Sequence, residues 1–313
     1  MKLNRLLALS LCVSTLFVGC SSGAPTTEET PAPTTDETTK QTLKIGVMPA
    51  VDTAPIYLAE EKGYFDELGL DLEIVRFNNA GERQTALQTN TIDGAMTDLI
   101  AVATNVDGGF DLKATTLTDG VFPVLVREGY KETPDIKVAM MEVSVSNFLI
   151  DEWLSDEYNI EKVFINDIPA RLEMIKSGGV DMGLFPEPMA SNATVDGTLE
   201  KRIYTPEDGI CPNVMAFTSK ALEEKEEAIK LFHEGYNKGV EDLIQNPDAA
   251  RDTLITNLEL NPAIRDTMIL PTYTKAHLPG TEYMQKIISW VQENLKQDIT
   301  VTPDLLVDGK FVE

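Results

Sequence analysis

The chain has 313 residues, a formal net charge of −25 at pH 7 and an apolar content of 42%. This length is enough for one large or two medium domains with buried cores. The negative charge excludes nucleic acid as a partner, because a polyanion would be repelled. Cys211 is the only cysteine beyond the first twenty residues, which excludes an intrachain disulfide and a thiolate metal cage in the body of the protein.

Residues 1–19 have the order of a secretory signal peptide. Lys2 and Arg5 precede an uncharged, largely apolar run that is too short for a permanent membrane span. Cys20 directly follows a glycine and resembles the lipobox of bacterial lipoproteins, although Phe17 stands where that box usually has an aliphatic residue. The resemblance implies a lipid anchor at Cys20 on the extracytoplasmic face of the cell membrane. The alternative is an ordinary signal peptide followed by an incidental cysteine.

Residues 20–40 are expected to form a tether. After the cysteine they consist almost wholly of Ser, Thr, Pro, Ala, Gly, Asp and Glu. Such a composition cannot bury enough apolar surface to offset the entropy lost on ordering. We therefore predict a disordered link between the lipidated cysteine and the folded body.

From residue 41 onward, short apolar runs alternate with helical periodicity. Strands are predicted at residues 43–48, 72–77 and 92–96, with one helix from about Ala54 and another from about Glu82. Pro55 suits the first turn of the earlier helix. The order is βαβαβ, which is typical of a parallel sheet covered by helices.

A second passage repeats this pattern. Residues 83–96 and 171–184 share a helix, a turn, an Ile/Val-Asp pair and a small residue, position for position. Strand-like residues 121–128 and 213–220 bracket the second copy and are predicted to cross between two lobes. We therefore predict an α/β protein of two doubly wound lobes joined by two crossing strands. The predicted first lobe is 41–121 plus 216–313, and the second is 122–215.

Ligands of open α/β sheets bind at the carboxyl ends of the strands, beside helix N-termini. This rule selects loops at residues 48–55, 78–81, 97–98, 118–120, 142–147, 166–169 and 185–188. Their polar residues are also ordinary helix caps and turn formers, so capping is the alternative role for each. Glu187, held between two prolines, and Asp98, just after a strand, are the sharpest candidates for ligand contact.

Three stretches carry a family resemblance: residues 43–101, which begin LKIGVMPAVD, residues 166–193, which contain GLFPEP, and residues 213–252. They resemble the substrate-binding proteins of nitrate, sulfonate, taurine and thiamine-precursor importers, with the related pyrimidine-synthase-like domains. The resemblance implies a type II periplasmic-binding-protein fold that closes over a small-molecule solute and docks on an ABC permease and ATPase complex. The implied ligand-facing positions are Pro49, Asp52, Thr53, Asn78, Thr97, Asp98, Ser144, Ser146, Asn147 and Glu187.

The sequence favours binding over catalysis. Family members that make pyrimidine use a cysteine-rich motif and an active histidine, and this sequence has no such cluster. The two histidines, His233 and His277, stand in segments without a catalytic constellation. We therefore expect a monomer that has no enzyme activity and needs neither a cofactor nor a metal.

The ligand class is indicated only by charge. The nearest basic candidates, Arg83 and Arg171, are predicted inside helices, whereas the predicted cleft loops contain the acids Asp52, Asp98, Asp119, Glu142, Asp167 and Glu187. Uncompensated carboxylates favour a neutral or cationic nitrogen-bearing solute, such as an aminopyrimidine-like thiamine precursor. A sulfonate or nitrate held by helix N-termini, a ligand-sensing lipoprotein and a pyrimidine-forming enzyme are the alternatives.

Overall fold

The computed structural model of the protein describes residues 40–204, 211–295 and 298–312, and its strands form two five-stranded sheets. The first sheet contains β1 (Gln41–Val47), β2 (Leu70–Arg76), β3 (Gly94–Asp98), β4 (Leu112–Leu117) and β10 (Asn213–Thr218), in the order β2-β1-β3-β10-β4. The second contains β5 (Val124–Arg127), β6 (Asp135–Met140), β7 (Asn159–Phe164), β8 (Met182–Leu184) and β9 (Leu199–Arg202), in the order β7-β6-β8-β5-β9.

Helices flank both sheets, which confirms the predicted α/β class. In the first part of the described chain they are α1 (Ala54–Glu61), α2 (Tyr64–Glu67), α3 (Ala80–Gln88), α4 (Leu99–Asp107), α5 (Val145–Leu154), α6 (Ile168–Lys176) and α7 (Met189–Ala193). After β10 they are α8 (Ser219–Glu224), α9 (Glu226–Gln245), α10 (Asp248–Asn257), α11 (Thr281–Asn294) and α12 (Pro303–Leu306).

The two sheets have the same topology. In the first, β1 pairs in parallel with β2 and β3, while β10 pairs antiparallel with β3 and β4. In the second, β6 pairs in parallel with β7 and β8, while β5 pairs antiparallel with β8 and β9. The repeated sequence passages occupy equivalent places, α3 with β3 and α6 with β8. The internal similarity in the sequence therefore reflects two similarly built lobes.

Two short segments connect the lobes: residues 118–123 and residues 203–212, of which 205–210 lie outside the described chain. The strands predicted to cross each belong to one sheet, because β5 lies wholly in the second and β10 wholly in the first. Strand β10 begins at Asn213, before the predicted lobe boundary at residue 216. Strand β5 thus follows the first connection and is inserted into the second sheet. Strand β10 follows the second connection and is inserted into the first sheet.

Helix α11 joins the two lobes in one apolar core. This core contains buried residues from both sheets together with one face of α11. Trp290 on α11 meets the Phe148 ring of α5 edge to face, with ring centroids 5.7 Å apart. The Trp290 indole Nε1 also donates a hydrogen bond to Asp151 Oδ2 at 2.9 Å. The chain after β10 therefore returns to the first sheet and also packs on the second lobe.

The predicted signal peptide, the lipidation at Cys20 and the tether lie outside the described residues, apart from Lys40. Within residues 40–204, 211–295 and 298–312, no helix is long and apolar enough to cross a membrane.

Helices α1 and α9 pack unusually closely at a glycine. A Cβ atom added at Gly239 would lie 2.2 Å from the backbone oxygen of Pro55, and one added at Gly235 would lie 2.4 Å from the Phe65 ring. Real Cβ atoms do not approach backbone oxygens at such distances. The two glycines therefore permit the close packing of α9 on α1 and α2.

We predict that Gly239→Ala destabilises the protein by about 1–3 kcal/mol, the usual effect of overpacking a well-packed core. The sign of this stability change is informative, because alanine in place of glycine stabilises an unconstrained helix by about 1 kcal/mol. Urea unfolding measures the change. Gly280→Ala is the control, since no atom of the described residues other than its own chain neighbours lies within 4 Å of an added Cβ at that position. Equal stabilities for the two variants would contradict the packing argument.

Candidate ligand-binding site

A cavity of about 50 Å³ lies between the two sheets, at the carboxyl ends of their strands. Its first-lobe wall includes Asp52, Arg83, Thr97, Asp98 and Asn213. Its second-lobe wall includes Met141, Ser144, Val145, Ile168 and Pro186. Side chains from both lobes therefore enclose the space, as the strand-end rule predicts for this topology.

Arg83 and Asp98 are two of the three charged residues on the described first-lobe wall, with Asp52 as the third. Asp98 is the last residue of β3, and its Oδ1 caps α4 by accepting a hydrogen bond from the Ala101 amide at 2.9 Å. Arg83 on α3 donates from Nη1 to the Met96 carbonyl at 2.8 Å and from Nη2 to Thr97 Oγ1 at 3.0 Å. Its Nε has no hydrogen-bond partner in the described part of the chain. The guanidinium is thereby fixed beside the end of β3.

Asp52 ties the cavity to both connections. Its Oδ2 accepts hydrogen bonds from Thr118 Oγ1 at 2.9 Å and from Asn213 Nδ2 at 2.8 Å. Thr118 begins the first connection, and Asn213 follows the second. Movement of either connection is therefore transmitted to a carboxylate on the cavity wall.

The N-terminus of α5 forms the second-lobe wall. Ser144 caps the helix by accepting from the Ser146 amide at 3.1 Å. Ser146 Oγ in turn accepts from the Met141 amide at 3.0 Å, and Asn147 Nδ2 donates to the Glu142 carbonyl at 2.8 Å. Ser146 and Asn147 therefore shape the loop that presents Ser144 and the Val145 amide to the cavity.

Hydrogen bonds between the lobes surround the cavity. The Val51 amide donates to the Glu187 carbonyl at 2.7 Å, and Asn79 forms an isolated bridge with Asp167. The Asp98 carboxylate is also close enough to accept from the backbone amide of Val145 in the opposite lobe. These contacts hold the two walls together, so the structure shows a closed arrangement of the lobes.

Burial dominates the electrostatics of this site. It raises the pKa of Asp98, against the lowering effects of the Ala101 amide and the Arg83 charge. It also raises the pKa of Asp52, against the hydrogen bonds from Asn213 and Thr118. For Arg83, burial lowers the pKa, against the opposing effects of Asp98 and Asp52. When all three groups are ionised, the wall carries two negative charges and one positive charge.

The structure places the sequence-derived candidates in two groups. Asp52, Thr97, Asp98 and Ser144 line the cavity. The others are absent from its lining: Pro49, Thr53, Asn78, Ser146, Asn147 and Glu187. Asn78 is exposed, and its neighbour Asn79 caps α3 instead. Thr53 turns its hydroxyl to the Ala50 carbonyl, at 2.7 Å.

Glu187 is buried in a network of its own, away from the cavity. Its Oε1 lies 2.9 Å from Lys201 Nζ and 2.9 Å from Ser191 Oγ, and its Oε2 accepts from the Ser191 amide at 3.0 Å. The carboxylate is therefore engaged by its own lobe and also by the segment after α10, because Oε1 accepts from the Ile269 amide at 3.4 Å. Pro186 lines the cavity in its place.

Arg83 was missed by sequence reasoning, which treated both arginines as helix residues remote from the cleft. The two arginines behave differently. Arg83 lines the cavity, whereas Arg171 is fully buried, donates to the Ile165 carbonyl at 3.0 Å and lies over the Phe185 ring. The Arg83 guanidinium therefore offsets part of the negative charge of the cleft carboxylates, whereas the sequence predicted uncompensated carboxylates. The sequence carries no signal that separates the two arginines, because they occupy equivalent positions in the repeated passages.

We predict that Asp98→Asn gains stability relative to the unmodified protein as pH rises from about 4 to 7. A raised folded-state pKa means that the native form retains a proton that the unfolded form has lost. The stability contributed by Asp98 is then full below its ordinary pKa of 3.8 and is lost as pH rises through the raised value. Asparagine keeps the helix cap without the charge.

Urea unfolding across this pH range tests the prediction. Asp196→Asn is the matched control, because this exposed acid has its pKa lowered to about 2. Its stability difference should stay nearly constant from about pH 5 to 7. A difference for Asp98→Asn that is also independent of pH would refute a raised pKa at Asp98.

Solved structures share this architecture. A ligand-binding component of an ABC-type import system from Staphylococcus aureus, with zinc bound, has a TM-score of 0.76 at 16% identity, covering 87% of this chain and 98% of that one. The alkanesulfonate-binding protein SsuA from Xanthomonas axonopodis pv. citri, bound to MOPS, has a TM-score of 0.70 at 16% identity, covering 85% and 98%. The desulfurization enzyme DSZB also has this fold, with a TM-score of 0.62 at 12% identity, covering 87% and 97%.

Identities this low establish the fold and leave function to other observations. No curated protein matches the chain by sequence. The family profile described as NMT1/THI5 like matches residues 50–250, which include most of both sheets and every residue of the cavity wall except Met48. The chain belongs to the NMT1/THI5-like family.

Proposed function

We propose that the protein captures a small solute in the interlobe cavity and delivers it to an ABC importer on the extracytoplasmic face of the cell membrane. The observation that carries this proposal is the cavity itself, which is enclosed by polar and apolar side chains from two lobes. Two short connections and the packing of α11 join these lobes. Such a site can form when the lobes close and release its occupant when they separate. ABC import components with this fold support the same function.

The proposed solute is small and donates hydrogen bonds. The cavity of about 50 Å³ is well below the volume of sites for drug-sized ligands, which is on the order of 300–1,000 Å³. Two carboxylates against one guanidinium give an excess of acceptors and of negative charge. An amine or amidine group meets both requirements, and an aminopyrimidine-like thiamine precursor fits if the lobes separate slightly to admit its ring.

Two observations favour binding without chemistry. His233 is buried and bonded to Thr115 Oγ1 at 2.9 Å, and burial lowers its pKa to about 3, so it stays neutral. His277 is exposed, and neither histidine lines the interlobe cavity. No group on the described cavity wall pairs a nucleophile with a base. The shared fold of a desulfurization enzyme makes turnover an outcome that the experiment must distinguish.

A thermal-shift screen of the purified protein tests the function. Thiamine precursors, amines, polyamines, amino acids, sulfonates and nitrate are the compounds to compare. A ligand that binds only the folded state raises the melting temperature with concentration. A rise with an amine or aminopyrimidine supports the proposed solute, and a rise with only sulfonate or nitrate transfers the proposal to anions. Turnover of a bound compound would overturn the transport proposal, whereas a genetic link to a signalling partner without a permease would indicate a sensor.

We predict that Asp98→Asn weakens binding of the identified amine or aminopyrimidine about 10-fold to 100-fold. Loss of one hydrogen bond to a charged group removes about 1.5–3 kcal/mol. Isothermal titration calorimetry measures the change. Asp242→Asn is the control, because this half-buried acid accepts from Tyr64 on the far side of the first lobe. Equal loss of affinity in both variants would place the solute elsewhere.

We also propose that the chain is monomeric and anchored by lipid at Cys20. Cys20→Ser should then release the protein from the membrane fraction into the extracytoplasmic fluid, because only the lipidated cysteine provides a durable anchor. Cell fractionation and metabolic labelling with an alkyne fatty acid measure both effects. Cys12→Ser is the control, since this cysteine lies within the predicted signal peptide. Continued labelling of the Cys20 variant would contradict the anchor.

A further inference from the structure

A second and larger cavity lies beside the two connections. Its volume is about 400 Å³, within the range of sites that hold small organic molecules. Its described walls include the first connection together with Ile203, Tyr204 and Cys211 of the second. Helix α5 and the segment after α10 contribute the other described walls. Phe122 and Thr118 lie at its boundary with the interlobe site, and Phe122 lines both spaces.

Aromatic rings form a large part of the wall. Trp153 on α5 and Tyr204 are stacked, with ring centroids 5.7 Å apart and planes 17° from parallel. Phe122, Leu149 and Leu270 add further apolar surface. Ring faces carry partial negative charge, which attracts cations within about 6 Å.

Asp119 is the carboxylate of this wall. It accepts from the Thr274 amide at 2.7 Å and from Thr274 Oγ1 at about 3 Å. A carboxylate has about four lone-pair positions, so acceptor capacity remains. Asp119 is half-buried, and burial raises its pKa, against the hydrogen bonds from Thr274.

The described wall contains no compensating lysine or arginine. The other titratable groups are the exposed His277, the Tyr204 hydroxyl and the Cys211 thiol. Burial raises the pKa of Tyr204 and of Cys211, so both groups stay neutral. An anion would meet an acid and ring faces, both of which repel it. A cation with apolar substituents would meet the same groups favourably.

We propose that the cavity beside the connections binds an organic cation, an ammonium group that carries apolar or aromatic substituents. The ammonium group lies near Asp119 and the rings of Trp153 and Tyr204, and the substituents fill the apolar remainder. This site is separate from the interlobe cavity and does not depend on the proposed transport function.

Benzyltrimethylammonium is the probe, and its neutral carbon isostere, neopentylbenzene, has nearly the same shape. Calorimetry on the unmodified protein should show saturable binding of the cation, at least about tenfold tighter than that of the isostere, because the isostere gains no cation–π or carboxylate contact. The chain has two tryptophans, so Trp290→Phe leaves Trp153 as the only indole reporter. In this variant the cation should change the Trp153 fluorescence with a midpoint equal to the dissociation constant from calorimetry.

Asp119→Asn should weaken the binding of benzyltrimethylammonium about tenfold or more, whereas Asp98→Asn in the interlobe cavity and Asp242→Asn should change it less than about twofold. Melting temperatures verify that the variants are folded. Equal affinity for the cation and its isostere would overturn the proposal, since the site would then be merely apolar. Loss of binding in Asp98→Asn alone would place the cation in the interlobe cavity and would equally refute it. Neither result would affect the screen for the transported solute.

Discussion

The architecture depends on the backbone hydrogen bonds of two strands that each follow a crossing between the lobes. Strand β10 is inserted between β3 and β4, and β5 between β8 and β9. Because both edges of each strand are paired, withdrawing either one would leave rows of amide and carbonyl groups without partners. The connections are consequently anchored on both sides, and relative movement of the lobes is restricted to a few residues between fixed strands. The same insertion brings Asn213 next to the end of β3, where the polar cavity forms.

Charge balance in that cavity follows from the local structure. Each buried ionised group would be costly alone, so the wall combines two acids with one guanidinium and several backbone amides. Asp98 caps a helix in one lobe and faces an amide of the other, while Asp52 is held by both connections. Under the proposed function, the residues that stabilise the closed arrangement are the same residues that the solute contacts. Binding and closure would then be coupled without a separate switch.

Much of the fold was predictable from the sequence because the signals were local and repeated. Hydrophobic alternation defined the strands, and the matched passages at 83–96 and 171–184 indicated two similar lobes. The strand-end rule selected Asp52, Thr97, Asp98 and Ser144, which line the interlobe cavity. It also selected Glu187, which does not line the cavity, because Lys201 and Ser191 meet that carboxylate in the folded lobe. It also failed for Arg83, since the polar sequence of α3 does not reveal which side of the helix faces the cleft.

The burial of the Cys211 thiol has a chemical consequence at the proposed extracytoplasmic location. Oxidation, disulfide exchange and alkylation all require the thiolate. Burial keeps this sulfur protonated, and it contacts Asn213 Oδ1 at 3.6 Å. Once the signal peptide is removed and Cys20 carries lipid, as we propose, the body has no other thiol. Mature molecules crowded on a membrane should therefore resist covalent dimerisation and peroxide oxidation of this thiol without any structural disulfide.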